Sequence, residues 1–342
     1  MLLWYDQNAR DLPWRKDIQP YHILLSEIML QQTRAEVVKG YYTRFLEEIP
    51  TLEALARVDE DKLLKLWEGL GYYSRARNLQ KAARQIVQEL QGRFPSDYNQ
   101  ILKLPGVGAY TAGAIASICF NAPTPAVDGN VLRVIARVAG IYEAVDIPAV
   151  KKRFTVALAE RYPAARCGDF TQSLIELGAT VCLPKRKPRC DACPLATVCR
   201  ALSDNTVTQL PVKLEKKAKK EQEITLFVFR CGSKLAINRR ARSGLLAGLW
   251  EFPNVQEKLG EQQAMAIAGQ WGTQPVALTK TVCRAHVFTH IRWQMTCYYI
   301  DCTVQSPQFL WVDQSVLARD YALPTAFRMF FDQEETAQNC KI

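Results

Sequence analysis

Apolar residues recur at helical spacing in four stretches of the first half of the chain: Tyr21–Gln32, Leu52–Trp67, Tyr110–Cys119 and Val131–Val138. In the last, Val131, Val134, Ile135 and Val138 form one face. Proline and glycine fall between the runs, where turns belong. The pattern predicts an all-α domain over residues 1–203. It lapses from Ser203 to Glu223, where Lys213, Lys216, Lys217, Lys219 and Lys220 stand among few large apolar side chains. Residues 204–223 therefore read as an exposed linker, either a solvated connector or one that touches phosphate. Beyond it the period shortens to two: Ile224–Phe229 and Thr296–Thr303 alternate and are rich in β-formers. Residues 224–342 are expected to form an α+β domain.

Composition narrows the class. A length of 342 residues and a hydrophobic content of 48% suit two domains, each with its own core. The formal charge of +10 favours a polyanionic partner, nucleic acid first, with a merely basic enzyme as the plainer reading. No apolar run is long enough to span a bilayer. Residues 1–15 include Asp6 and Asp11 and lack the apolar core of a signal peptide. Eleven cysteines are an odd number. A reducing, intracellular setting fits them better than a disulfide framework.

Four of those cysteines follow the pattern Cys182-x7-Cys190-x2-Cys193-x5-Cys199. Thiolates this close are held for a metal or a cluster. Zinc usually takes two CxxC-like pairs and only one is present, so the spacing favours a four-iron cluster. Lys185, Arg186, Lys187 and Arg189 inside the motif argue against four unligated core thiols. Leu104-Pro105-Gly106-Val107-Gly108 separates two helical runs. Its backbone N–H groups at Gly106, Val107 and Gly108, with the helix start behind them, make an anion site suited to a DNA phosphate; a plain helix–helix turn is the alternative. Asp128 opens the Val131–Val138 helix, as an N-cap, a ligand-facing carboxylate, or both. Glu27 is the single acid in a markedly apolar helix. It is either a proton donor with a raised pKa or an exposed polar position. In Gly69-Leu70-Gly71-Tyr72-Tyr73 the tyrosines either wedge into a base stack, with Arg75 and Arg77 on phosphates, or pack into a core.

Leu12–Arg15, Ser26–Thr33, Gly69–Tyr73, Leu104–Gly108, Val127–Asn130 and the cysteine pattern together resemble MutY-type adenine DNA glycosylases. The resemblance implies a helix-hairpin-helix glycosylase domain carrying a 4Fe-4S cluster on Cys182, Cys190, Cys193 and Cys199. It implies double-stranded DNA as partner, with adenine mispaired with 8-oxoguanine or guanine as substrate and an abasic site as product. Glu27 matches the family's general acid and Asp128 the residue that stabilises the sugar cation. Tyr110 and Asn130 match residues that support them. Arg10, Trp14, Arg15, Leu30 and Gln172 fall where the family lines its base pocket. Gln32, Thr33, Leu70 and Tyr72 fall where it probes the opposite base. Tyr110 stands where related endonuclease III-like enzymes carry a lysine nucleophile, which implies a monofunctional enzyme.

Residues 224–342 resemble the MutT-like (Nudix) C-terminal domain of the same family through Arg239-Arg240, Gly248–Pro253 and His286–His290. Phe288, Thr289 and His290 match a loop that contacts 8-oxoguanine, with threonine where serine is common. The REx2EE carboxylate set of working Nudix hydrolases is missing, which implies recognition without hydrolysis. The gap from Cys182 to Cys190 is one residue longer than the family's usual spacing, and Cys167 is the nearest substitute ligand. The expected protein is an intracellular, bacterial-type (cytoplasmic or nucleoid) monomer with no membrane partner. Competing readings are a glycosylase-lyase for oxidised pyrimidines, a non-catalytic DNA-binding protein and a nucleotide pyrophosphate hydrolase.

Overall fold

A helix that is apolar all round has no face to offer water, so it belongs inside. Pro20–Leu30 lies there, with Ile23, Leu24, Leu25, Ile28 and Met29 at most 2% exposed. It packs against the helices Ala35–Glu48 and Ala109–Phe120. The computed structural model describes residues 1–184, 187–215 and 218–331. The chain forms two compact units, Met1–Val58 with Arg77–Glu215, and Asp59–Ala76 with 216–342.

The expected helical runs are present with shifted ends. Tyr21–Gln32 stops at Leu30, because Gln32 adopts a left-handed φ of 59°. Leu52–Trp67 is two helices, Leu52–Arg57 and Glu60–Leu66. Asp59 makes the break: its carboxylate accepts from the N–H groups of Asp61 (2.8 Å) and Lys62 (3.3 Å) and so caps the second helix. There the chain also passes from the first unit to the second, so Asp59–Ala76 groups with the C-terminal strands and not with the rest of residues 1–203.

Two helices of the first unit approach closely enough to exclude a side chain. A Cβ at Gly178, in helix Cys167–Thr180, would stand 2.5 Å from the Asn130 Cβ at the start of helix Gly129–Ala139. Only glycine permits that approach. The 204–223 stretch is less free than its lysines suggest. Leu210 is 2% exposed and its carbonyl accepts from Arg137 Nε at 2.9 Å. The Val212 carbonyl accepts from the Val145 N–H at 3.1 Å. Lys216 and Lys217 lie outside the described residues, and Lys220 already begins a strand.

The strands of the second unit are Lys220–Cys231 (β1), Lys234–Arg239 (β2), Trp250–Glu251 (β3), Asn254–Val255 (β4), Pro275–Val287 (β5), Ile291–Cys302 (β6) and Leu310–Asp313 (β7). They form a mixed sheet ordered β3-β2-β1-β6-β5, with β4 on β1 and β7 on β2. β1 and β6 run parallel. Ile224, Leu226 and Val228 join a core with Phe327 and Phe330 of helix Thr325–Phe331. Phe227 and Phe229 join another with Ala264 and Ala268 of helix Glu261–Gln270. With both faces covered, six successive β1 residues are buried. Thr225 tolerates this because its hydroxyl donates to the Glu257 carbonyl (2.7 Å) and accepts from the Leu259 N–H (3.0 Å). Burying Phe327 or Phe330 contributes about 1.5–3 kcal/mol each.

Among the described residues no helix is long and apolar enough to cross a membrane. Cys119, Cys167, Cys231, Cys297 and Cys302 are free thiols. Cys283 departs from the expectation of unpaired cysteines, being disulfide-bonded.

Candidate active site

The first unit holds a cavity of about 710 Å³, within the usual range for a small-molecule site of roughly 300–1,000 Å³. It brings together Arg10, Trp14, Arg15, Glu27, Leu30, Gln32, Thr33, Tyr110, Asp128, Asn130 and Gln172 from distant parts of the chain.

Glu27 is 6% exposed, so the exposed-position reading does not hold. Burial pushes its carboxyl up to about 7; a hydrogen bond from the Tyr110 hydroxyl opposes the rise, and the nearby Asp128 adds to it. Its Oε2 is buried without a hydrogen-bond partner. A buried acceptor left open is costly unless the group is protonated or a ligand meets it. Tyr110 is itself held well above the usual phenol range by burial and by the two carboxyls.

Asp128 caps the Gly129–Ala139 helix and also lines the cavity. Its Oδ1 accepts from the N–H groups of Asn130 (2.9 Å) and Val131 (2.8 Å), and its Oδ2 accepts from the Asn130 amide at 2.7 Å. Burial raises its pKa, while the bonds from Val131 and Asn130 and the Arg133 charge oppose the rise. On the far wall Arg10 and Arg15 converge on Glu176, at 2.6 Å and 2.7 Å. Arg15 Nε also donates to Gln172 Oε1 at 3.1 Å, which fixes that amide's orientation.

The hairpin turn stands apart from this cavity's lining. Gly106 has φ +78°, and a Cβ there would come 2.7 Å from the Asn78 Cβ. Gly106 and Gly108 are exposed, whereas the Val107 side chain is buried, so only its backbone remains available. Helix Ala109–Phe120 starts just after, with no side-chain cap on its first N–H groups.

Cys182, Cys190, Cys193 and Cys199 line one pocket, with Val134, Leu177, Val181 and Leu202 as its apolar wall. Arg137 Nη1 lies 3.2 Å from the Cys182 sulfur. Cys167 is elsewhere, its thiol donating to the Pro163 carbonyl at 3.2 Å. The longer first gap therefore leaves Cys182 in place. Lys185 and Arg186 of that gap lie outside the described residues. Among the described residues no three His, Cys, Asp or Glu side chains gather as ligands of a metal ion.

In the second unit the two tyrosines of the glycine-flanked loop separate. Tyr73 is 5% exposed and packs inside; Tyr72 is 48% exposed and has a left-handed φ of 47°. Leu70 is buried, at 6%. Arg75 is not a phosphate arm. It is buried, donates to the Leu70 and Gly71 carbonyls (2.9 and 3.0 Å), and lies over the Trp67 and Tyr72 rings. Its guanidinium holds the turn that two positive-φ glycines allow. The Tyr72 hydroxyl is 2.9 Å from that of Thr289. Phe288 packs on His286 and Trp293, leaving Thr289 and His290 exposed.

Residues 25–158 match the HhH-GPD superfamily of base excision DNA repair proteins, and residues 225–333 match a NUDIX domain. The adenine DNA glycosylase of Rattus norvegicus is 35% identical, over 100% of this chain and 78% of that protein. The chain belongs to the adenine DNA glycosylase family. The human enzyme of that name is 36% identical over 90% of the chain and 67% of its own length. A Buchnera aphidicola relative is 34% identical over 76% and 75%. A solved thermostable thymine-DNA glycosylase superposes with a TM-score of 0.55 at 31% identity, covering 59% of this chain and 93% of that one. Endonuclease III trapped covalently on DNA gives 0.51 at 25%, covering 59% and 91%. This glycosylase is accordingly a DNA N-glycosylase, a hydrolase of base excision repair.

Two residues of the glycosylase escaped the sequence reading. Glu176 is a fully buried carboxylate that organises Arg10, Arg15 and, through Arg15, Gln172. An acid in the middle of an apolar helix was its signal, the same signal that marked Glu27. Arg133 donates to Asn130 Oδ1 (2.9 Å), the Gly178 carbonyl (2.8 Å) and the Cys182 carbonyl (2.7 Å). It links the Asp128 cap to the start of the cysteine segment. An arginine on an apolar helix face gave no comparable warning, because surface arginines are common.

Proposed function

We propose that this glycosylase removes adenine paired with 8-oxoguanine or guanine in double-stranded DNA, leaves an abasic site and does not cleave the strand. The observation that carries this reading is Glu27: a buried carboxyl, protonated near neutrality, with one open oxygen in a cavity that also holds Asp128.

Adenine is a poor leaving group as an anion. Glu27 donates a proton to its ring nitrogen N7, and the base departs neutral. Departure leaves positive charge on the deoxyribose, as in other glycoside cleavages; water then adds to C1′ and gives up a proton, which leaves the abasic site. Asp128 supplies the opposing negative charge, held in place by the helix N–H groups and Asn130. Tyr110 holds Glu27 through its hydroxyl and, lacking an amine, forms no imine with the sugar; the absence of a lysine there supports hydrolysis without strand scission. The adenine must leave the duplex to enter the cavity. Arg10, Trp14, Arg15, Leu30 and Gln172 enclose it, and the Gln172 amide reads its edge. The family resemblance gives the opposite base to Gln32 and Thr33 in the first unit and to Leu70, Tyr72, Thr289 and His290 in the second, each unit taken by itself. Phe288, packed on His286 and Trp293, anchors the loop that bears Thr289 and His290. The N–H groups of Gly106, Val107 and Gly108 take a DNA phosphate.

The four cysteines fit a 4Fe-4S cluster better than one zinc ion. They line one shared pocket, only one CxxC pair is present among them, and each corner of a cluster takes its own thiolate. Bound there, the cluster would cross-link residues 182–199 and contribute its binding energy to that fold. In the second unit, helix Glu261–Gln270 carries Glu261 as its single acid, which supports recognition without hydrolysis. The reading includes an intracellular monomer of the cytoplasm or nucleoid.

A duplex with adenine opposite 8-oxoguanine, incubated with enzyme and then treated with alkali, tests the proposal. Cleavage is expected only after alkali. Glu27→Gln and Asp128→Asn are expected to bind the duplex yet lose about 10²–10⁴-fold in single-turnover adenine release. Wild-type release by either variant refutes the role given to that residue.

A further inference from the structure

The turn that carries Tyr72 begins at a carboxylate with no part in the chemistry above. Glu68 is 9% exposed. Its Oε1 accepts from the Leu323 N–H at 2.8 Å, and its Oε2 pairs with Lys65 at 2.7 Å and with Arg328 at 3.2 Å. Lys65 donates a second time, to the Tyr321 carbonyl at 3.0 Å. Helix Thr325–Phe331, which these bonds engage, is anchored in the sheet core by Phe327 and Phe330. A second tie joins Asp61 to Arg239 at 2.8 Å.

From Glu68 to Tyr72 the chain has little freedom. Gly69, Gly71 and Tyr72 take left-handed φ values of 97°, 69° and 47°. Trp67 Nε1 and Arg75 both donate to the Gly71 carbonyl, at 3.2 and 3.0 Å. A turn held this way transmits the position of its first residue to its last. On the other side, Lys219 Nζ donates to the Phe288 carbonyl at 2.7 Å, which fixes the loop bearing Thr289. The two hydroxyls meet because both loops are referenced to the same sheet.

We propose that Glu68 is a positioning residue for opposite-base selectivity: by pinning its turn to residues 321–328 it keeps the Tyr72 hydroxyl on Thr289, so that both loops read one base together. This rests on the reading of Tyr72 and Thr289 given above. Glu68 lies outside the lining of the cavity that holds Glu27 and Asp128, so its loss leaves base release intact and blunts the choice between 8-oxoguanine and guanine. Removing a buried charge from a hydrogen-bonded cluster commonly couples to its neighbours by enough to move an affinity ratio about tenfold.

The test uses the full-length enzyme with Glu68→Gln, which keeps the shape, and Glu68→Ala. The affinity for duplexes with a non-cleavable adenine analogue opposite 8-oxoguanine or guanine is measured, together with single-turnover release at saturating enzyme. The expected result is a discrimination ratio lowered about tenfold, with release within about twofold of wild type. The double variant E68Q/Y72F should be no less selective than Y72F alone, since Glu68 acts through Tyr72. A merely structural Glu68 weakens both duplexes equally and leaves the ratio unchanged; that result overturns the proposal. If Y72F and T289A also leave the ratio unchanged, the underlying reading of the loop pair fails. If they lower it and E68Q does not, only the role of Glu68 fails.

Discussion

At the residue scale the site turns on one carboxyl kept uncharged. Burial raises Glu27 from 4.5 to about 7. A general acid must hold its proton, so single-turnover release is expected to decline as pH rises above about 7, and to fall again on the acid side where Asp128, its pKa raised by burial, takes up a proton. A profile that rises above about 7 would contradict the assignment. The same shift acts on stability. An unfolded Glu27 loses its proton near 4.5 while the folded one keeps it to about 7, so across that window the folded state binds more protons. Stability therefore falls as pH rises through the window, and above it the full cost is roughly 3 kcal/mol. Glu27→Gln removes the ionisation. Its melting temperature should exceed that of wild type above the window and match it below, as thermal unfolding at the two pH extremes will show. Such a gain in stability with a loss of activity is the mark of a group strained for function.

Among the elements, the contact between helices Cys167–Thr180 and Gly129–Ala139 matters most. The first carries Gln172 and Glu176; the second begins at the Asp128 cap. Gly178 sets their spacing, and a methyl group there meets Asn130. Gly178→Ala is expected to cost about 1–3 kcal/mol by overpacking. Adenine release should also fall, because Asn130 holds Asp128 Oδ2. Melting curves and single-turnover rates check both. A variant of unchanged rate would mean the second helix absorbs the methyl without moving its cap. The helices themselves were legible, since a period of 3.6 needs only local sequence. Their ends were not, as at Asp59, where a capping side chain outweighed an apolar run.

On the scale of the whole molecule, the boundary between units does not follow the change in hydrophobic period. Asp59–Ala76 is helical in pattern yet its partners include Arg239, Thr289, Tyr321 and Leu323. A chain ending at Glu215 should lose amide protection across 59–76, with exchange there faster by at least about tenfold. Helix Ala109–Phe120 should keep its protection. Hydrogen exchange by mass spectrometry reads both. Equal protection of 59–76 in the two chains would show that its own helices suffice.

Motif by motif, the sequence alone determined what chemistry was available: an acid in an apolar helix, an aspartate at a helix start, a glycine hairpin with a tyrosine just past it, and four spaced thiols. Each is a local property, set by neighbours within a few turns. Only tertiary structure decided which of these meet. Glu27 and Asp128 are 101 residues apart in sequence, and no period or spacing says that they share a cavity. Arg133, Glu176 and Glu68 acquire meaning only through partners remote in the chain. A buried charge is identified by what surrounds it, and its surroundings exist only after folding.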